Sequence, residues 1–186
     1  MATRLSEIVS RNHANICYTP VNISDIFSKT GGVLLKDRSM ERQNYRFSEL
    51  DRWRKRLNIE INLRPNFLHA SDRLANKVMV VLRQMGIDPG PLAMAFGRAI
   101  WLEDKDISEP KVVEALINEQ ELDAKLLLAT AQSRETEDNF QRDTDMAISL
   151  GVFGVPSYVI SEQLFWGQDR LDFLEMSLSK DSSKHL

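Results

Sequence analysis

Two short stretches toward the end of this chain hold groups whose types and spacing could do chemistry. The first, Gly151-Val-Phe-Gly-Val-Pro-Ser-Tyr-Val-Ile160, sets Pro156 where a strand would begin. Proline has no N–H to give a sheet ladder, so in a trans peptide Pro156 simply marks the start of the strand. About 5–6% of X-Pro bonds in folded proteins are cis. A cis Val155–Pro156 bond would turn the chain sharply and leave the Val155 N–H and C=O facing outward. Those groups could then pair with the backbone of an extended peptide ligand, as in strand addition. The order helix, glycine, Val-Pro, hairpin, helix brings this arrangement into consideration, and both readings stay open. The second stretch, Gly167-Gln168-Asp169-Arg170, reads either as a turn with Asp169 capping a helix or as a ligand site. In the latter, free N–H groups at a helix start hold a carboxylate, and Asp169 accepts hydrogen bonds from an ammonium. That pair of features suits the α-amino-acid end of a ligand.

Lys36, Asp37 and Arg38 follow Gly31-Gly32 as a basic loop. They are either solvated surface or holders of a carboxylate, which both Lys and Arg bind well. The other triggers fail. Ser108-Glu-Pro-Lys111 matches S-x-x-K, but its serine reads as a helix cap before a proline. His13, His69 and His185 lie far apart and with Cys17 make no metal-ligand spacing, so no metal is expected. A single cysteine also excludes an internal disulfide and a CxxC pair. No glycine-rich phosphate loop is present. The run Arg52-Trp53-Arg54-Lys55-Arg56 lies within a helical pattern and reads as a solvated face. A net charge of −3 gives no sign of a nucleic-acid partner or an acidic membrane surface. No stretch of about 18 apolar residues could span a bilayer, and the N-terminal MATRLSEIVSRN is too polar for a secretory signal. Cytoplasmic residence is the resulting expectation.

Positioning those groups requires a framework, and 186 residues are enough for one large or two small units with a real core. With 42% apolar and 27% charged residues, global disorder is excluded. Leu5, Ile8 and Val9 predict an opening helix that stops near Asn12-His13. Ile16 to Ile23 is rich in β-formers, with Pro20 marking a strand end. From Ser39 to Gln132 the pattern is almost wholly helical. Ser39 caps a helix bearing Met40, Phe47, Leu50, Trp53 and Leu57, Ser71 caps another that Gly86 ends, and Pro91 suits a helix start. Trp53, Trp101 and the phenylalanines at helical spacing are expected in the core. Ser133 caps a longer helix that Gly151 stops. Ser157–Ile160 and Leu164–Trp166 then predict a hairpin, and Leu171, Leu174 and Leu178 a final helix. The layout is α/β, a small α/β domain over residues 1–32 and 133–186 interrupted by a helical insertion at 33–132.

The segment GVFGVPSYVISEQLFWGQDRLDFLE resembles the C-terminal part of 2-hydroxychromene-2-carboxylate isomerases. These are relatives of kappa-class glutathione transferases within the DsbA-like thioredoxin superfamily. The resemblance continues upstream through Tyr18-Thr-Pro-Val-Asn-Ile, Thr30-Gly-Gly-Val-Leu-Leu-Lys-Asp-Arg, Arg42-Gln-Asn-Tyr and Asn62-Leu-Arg-Pro-Asn-Phe. It implies a thioredoxin-like domain with a helical insertion and glutathione as cofactor. Val155 before a cis Pro156 would pair with the cysteinyl backbone, Gln168 and Asp169 would hold the γ-glutamyl end, and Lys36 or Arg38 the glycyl carboxylate. The implied activity is a glutathione-dependent isomerisation of a small aromatic-derived substrate. A kappa-type glutathione transferase and a non-catalytic thiol-peptide-binding protein are the alternatives. Relatives of this type are often homodimers. Family members open on a β-strand and a Ser-Pro turn, whose serine hydroxyl lowers the pKa of the glutathione thiol. This chain begins within the helix that follows that turn. The resemblance therefore puts the expected catalytic serine upstream of Met1 and leaves the domain without its N-terminal strand.

Overall fold

The computed structural model describes residues 2–182, and the side chains of residues 4–179. They form two units, one running to Gly32 and resuming at Arg142, the other spanning Val33–Gln141. The first contains α1 (Ala2–Arg11), α2 (Ile23–Thr30), the end of α8 (Arg134–Ser149), β1 (Ser157–Ile160), β2 (Gln163–Trp166) and α9 (Leu171–Ser182). Strands β1 and β2 pair antiparallel, with Ser157 opposite Trp166 and Tyr158 opposite Phe165. Ser161 and Glu162 both take positive φ, 46° and 68°, the backbone of a two-residue turn that matches strand twist. Because successive side chains alternate across a strand, the hairpin serves two small cores. Tyr158, Ile160 and Phe165 pack on one side with Ile8 of α1 and with Leu171 and Leu174 of α9. Leu164 packs on the other with Ile26 of α2 and with Ala147 and Val152.

The β-rich run from Ile16 does not form a strand. Its last residue, Ile23, starts α2 instead, which the β-branched composition concealed. Asn22 caps that helix by accepting the Ser24 N–H at 3.1 Å, and Gly31 ends it at φ 76°. Close packing fixes the next position as well, since a Cβ on Gly32 would lie 2.2 Å from the Phe27 ring. The Asn22 N–H donates to Thr144 Oγ1 of α8 at 3.0 Å, and Thr144 is fully buried. Thr144→Val keeps the volume but leaves that donor unmet, so urea denaturation is expected to register a loss of about 1–3 kcal/mol.

The second unit is helical: α3 (Met40–Leu57), α4 (Arg73–Gln84), α5 (Gly90–Trp101), α6 (Pro110–Asn118), α7 (Ala124–Ala131) and the start of α8. Side-chain oxygens hold the starts of α7 and α8, whereas Asp72 at the start of α4 makes no side-chain capping bond. Asp123 accepts from Leu126 N–H at 2.9 Å, and Ser133 from Thr136 N–H at 3.1 Å. Val78, Leu82, Leu92, Leu116 and Ile117 form the centre of its core. Helix α3 contributes nothing buried to it. Trp53 and Trp101 are half-buried rather than core. Guanidinium groups cover three of the α3 rings instead, Arg52 over Tyr45 at 5.8 Å, Arg56 over Trp53 at 5.7 Å and Arg64 over Phe47 at 4.2 Å, a favourable use of the ring face. The second passage between units falls between Gln141 and Arg142, inside α8, whereas the capping Ser133 that suggests residue 133 only opens that helix. Among the described residues, no helix is long and apolar enough to cross a membrane.

Candidate functional site

Val155–Pro156 is cis. Val155 is 51% exposed, and among the described residues its backbone N–H and C=O take no hydrogen-bond partner. The surrounding residues fix this segment. Ser157 Oγ donates to the Gly154 C=O at 2.7 Å. Gly154 itself is buried, and a Cβ there would come within 2.7 Å of Trp166 Nε1, so only glycine lets the indole lie flush. Phe153 tilts against the same indole with ring centroids 5.0 Å apart. Two half-exposed aromatic rings thus border the unpaired Val155 backbone.

The Gly167 N–H donates to the Pro156 C=O at 2.9 Å, and this bond brings the second sequence motif beside the first. Gly167 has φ 98° and ψ 154°, a conformation that essentially only glycine adopts. Residues Gln168–Arg170 then form one 3-10 turn that runs straight into α9. Asp169 is exposed, and its Oδ2 accepts from Arg170 Nη1 at 2.9 Å. Arg4 of α1 donates to the Gln168 C=O at 3.4 Å and pairs with Asp172 at 3.5 Å. Two polar atoms here are buried without a partner, Gln168 Oε1 and the Tyr158 hydroxyl. Burial raises the Tyr158 pKa, and the positive charge of Arg4 partly opposes that rise. The arrangement offers an extended ligand a backbone donor and acceptor at Val155 and a carboxylate at Asp169.

Val155, Pro156, Gln168 and Asp169 therefore stand together in the hairpin unit. Lys36 and Arg38 belong to the helical unit. Lys36 is exposed on a 3-10 turn, Leu35–Asp37. Arg38 lines an open recess of about 510 Å³ with Glu41, Arg42, Tyr45 and Arg46, which Lys36 does not join. Sequence reasoning passes over Arg4, Arg42, Arg46 and Trp166 as site residues. The spacing of four between Arg42 and Arg46 is the available signal, since residues one helical turn apart share a face, whereas Arg38 lies before the helix. No cluster of three or more His, Cys, Asp or Glu side chains suited to a metal occurs among the described residues.

Comparison with known proteins adds three findings. The family model for the DSBA-like thioredoxin domain matches residues 1–179. A 2-hydroxychromene-2-carboxylate isomerase from Sphingobium xenophagum is 25% identical over 178 residues, covering 94% of this chain and 88% of that protein. A solved structure of selenomethionine-labelled 2-hydroxychromene-2-carboxylate isomerase superposes with a TM-score of 0.81 at 19% identity, over 99% of this chain and 89% of the other. The last is a likeness of fold.

Proposed function

The chain belongs to the DSBA-like thioredoxin domain family, and from that premise we propose that it is a glutathione-dependent isomerase of the 2-hydroxychromene-2-carboxylate type. The observation that carries this reading is the unpaired, exposed Val155 backbone tied through Pro156 and Gly167 to the turn that presents Asp169. The two isomerases of similar sequence or fold support the reaction class.

The residues present fit the tripeptide. An extended cysteinyl residue needs one backbone donor and one acceptor, which Val155 offers. An α-ammonium needs a carboxylate in the open, which Asp169 provides beside Gln168. Lys36 and Arg38, which the resemblance offers for the glycyl carboxylate, belong to the helical unit and are not assigned to this site. Glutathione, when bound, would supply a thiol nucleophile for a reversible addition with no net redox change. The chain's own part is to hold the thiol's backbone at Val155 and to fix the amino-acid end at Asp169. The exposed Phe153 and Trp166 rings border the place where a planar substrate would approach. We assign the protein to the cytoplasm, whose reducing conditions keep thiols free.

An absorbance assay with the hydroxychromene carboxylate, with and without glutathione, tests the activity. Glutathione-dependent interconversion supports it. Saturable glutathione binding with no interconversion would replace it by a non-catalytic thiol-peptide-binding protein, and turnover only of a chlorodinitrobenzene-type electrophile by a transferase. Asp169→Asn keeps the shape of the side chain while removing its charge. Calorimetry is expected to show glutathione binding weakened about tenfold or more, since a charge-assisted hydrogen bond contributes about 1.5–3 kcal/mol.

A further inference from the structure

The recess in the helical unit gathers three guanidinium groups and neutralises none of them. Arg42 and Arg46 lie one turn apart on α3, and Arg38 is brought to the same place by two bonds. Its Nε donates to the Val33 C=O at 2.8 Å, and its own C=O accepts from Gln43 Nε2 at 2.8 Å. Gln43 Nε2 also reaches the Lys36 C=O at 3.3 Å, so the loop before α3 is fastened to the helix. Arg38 is held through Nε, and its terminal amino groups make no hydrogen bond among the described residues. Among the described residues, the side chains of Arg42 and Arg46 make no ion pair or hydrogen bond. Partial desolvation, and then the neighbouring charge of Arg38, lower the Arg46 pKa.

The one acidic side chain in the recess, Glu41, pairs with none of the three arginines among the described residues, and its single negative charge leaves the recess net positive. Its own backbone N–H, and then the Ser39 hydroxyl, lower the Glu41 pKa, and Glu41 lies in the first turn of α3. The contrast with a second recess of this unit, about 580 Å³ at the far end of α3, is informative. Its two cations are already bound, Arg54 and Lys55 each donating to Asp51, at 2.8 and 2.7 Å. Like charges brought together without a counter-ion oppose folding, and an oxyanion reverses the sign of that effect.

We propose that the recess formed by Arg38, Arg42 and Arg46 binds a doubly charged oxyanion of the sulfate or phosphate-monoester class. A single carboxylate satisfies one guanidinium fork and would leave two cations unmet. A tetrahedral dianion offers several oxygens at once and balances more of the charge, and arginine is the side chain best shaped to fork onto it. The site goes beyond the isomerase reading, which rests on residues of the hairpin unit.

The test is a titration of the full chain followed by amide chemical shifts, at constant ionic strength made up with chloride. Sulfate is expected to saturate with shifts centred on residues 38–46, inorganic phosphate to tighten as its second proton leaves, and acetate to bind at least tenfold more weakly. Arg42→Gln combined with Arg46→Gln is expected to cut sulfate affinity at least tenfold, and both positions are exposed, so the helix should be retained. Arg42→Lys with Arg46→Lys keeps the charge but loses the forks, and an intermediate affinity is expected. Acetate binding as tightly as sulfate, unsaturable shifts, or unchanged affinity in the glutamine pair would overturn the proposal. So would displacement of sulfate by equimolar glutathione, which would give the recess to a cofactor carboxylate. Asp169→Asn leaves sulfate binding untouched, which separates failure of this proposal from failure of the isomerase reading.

Discussion

Gly167→Ala is expected to destabilise the hairpin unit by about 2–4 kcal/mol and to weaken glutathione binding by at least tenfold. Two separate effects add. At φ 98° and ψ 154° the backbone lies where a side chain strains the chain by about 1–3 kcal/mol. A Cβ at this position would also lie 2.6 Å from Asp169 Oδ1, so the carboxylate must swing away from where it now stands. The Gly167 N–H bond to Pro156 would then be held on a backbone under strain, and the two halves of the candidate site would part. Gly151 supplies the control. It has φ 80°, and a Cβ added there would meet nothing within 4 Å, so Gly151→Ala carries only the left-handed cost of roughly 1–2 kcal/mol. Urea denaturation and glutathione calorimetry on both variants decide the matter. Equal losses in the two would show that the contact with Asp169 contributes nothing.

Much of the helical architecture was legible because local chemistry and final structure agree. Ser39 and Ser133 accept the N–H groups they were expected to accept, and Gly86 and Gly151 take the positive φ that stops a helix. The hairpin was legible for the same reason, with alternation on both sides of a short polar turn. Helix α2 was not. Its residues follow a β-branched run, and what commits them to a helix is the Asn22 cap together with the Thr144 hydroxyl, a partner 122 positions away. Composition read over a short window cannot contain that partner.

The candidate site divides along the same line. The proximity of Pro156 to Gly167 followed from the order of elements, because a hairpin returns its second strand to the start of its first. The sequence left the Val155–Pro156 bond open between trans and cis, and the structure has it cis. The arginine recess had no such guide. Arg42 and Arg46 share their spacing with any solvated helix face, and Arg52 to Arg56 looked more concentrated. What separates the two groups is where the acids go. Asp51 binds Arg54 and Lys55, and Glu49, one turn beyond Arg46, pairs with Arg52 instead. Charge density along the chain was thus the wrong quantity, and unpaired charge in space the informative one.

Leu171→Ala is expected to cost the hairpin unit about 2–5 kcal/mol, and for a domain of this size each kcal/mol lowers Tm by about 4–8 °C. The hairpin splits the apolar burial of this unit between two faces, so each cluster is small and has few neighbours able to close around a void. Leu171 is fully buried in one of them, against Ile8 and Leu174. It is also the first residue of α9, directly after the turn that carries Gln168 and Asp169. Truncation there removes the anchor that holds the turn against the core, so loss of glutathione affinity should accompany loss of stability even where the variant remains folded. Leu178 belongs to the same cluster two turns along α9 but is only half-buried. Leu178→Ala is therefore expected to cost about 1 kcal/mol or less and to leave affinity unchanged. Thermal melts with and without glutathione separate the two effects. If the two leucines cost the same, or if Leu171→Ala binds glutathione as wild type does, then the turn is held by its own hydrogen bonds and not by the core beneath it.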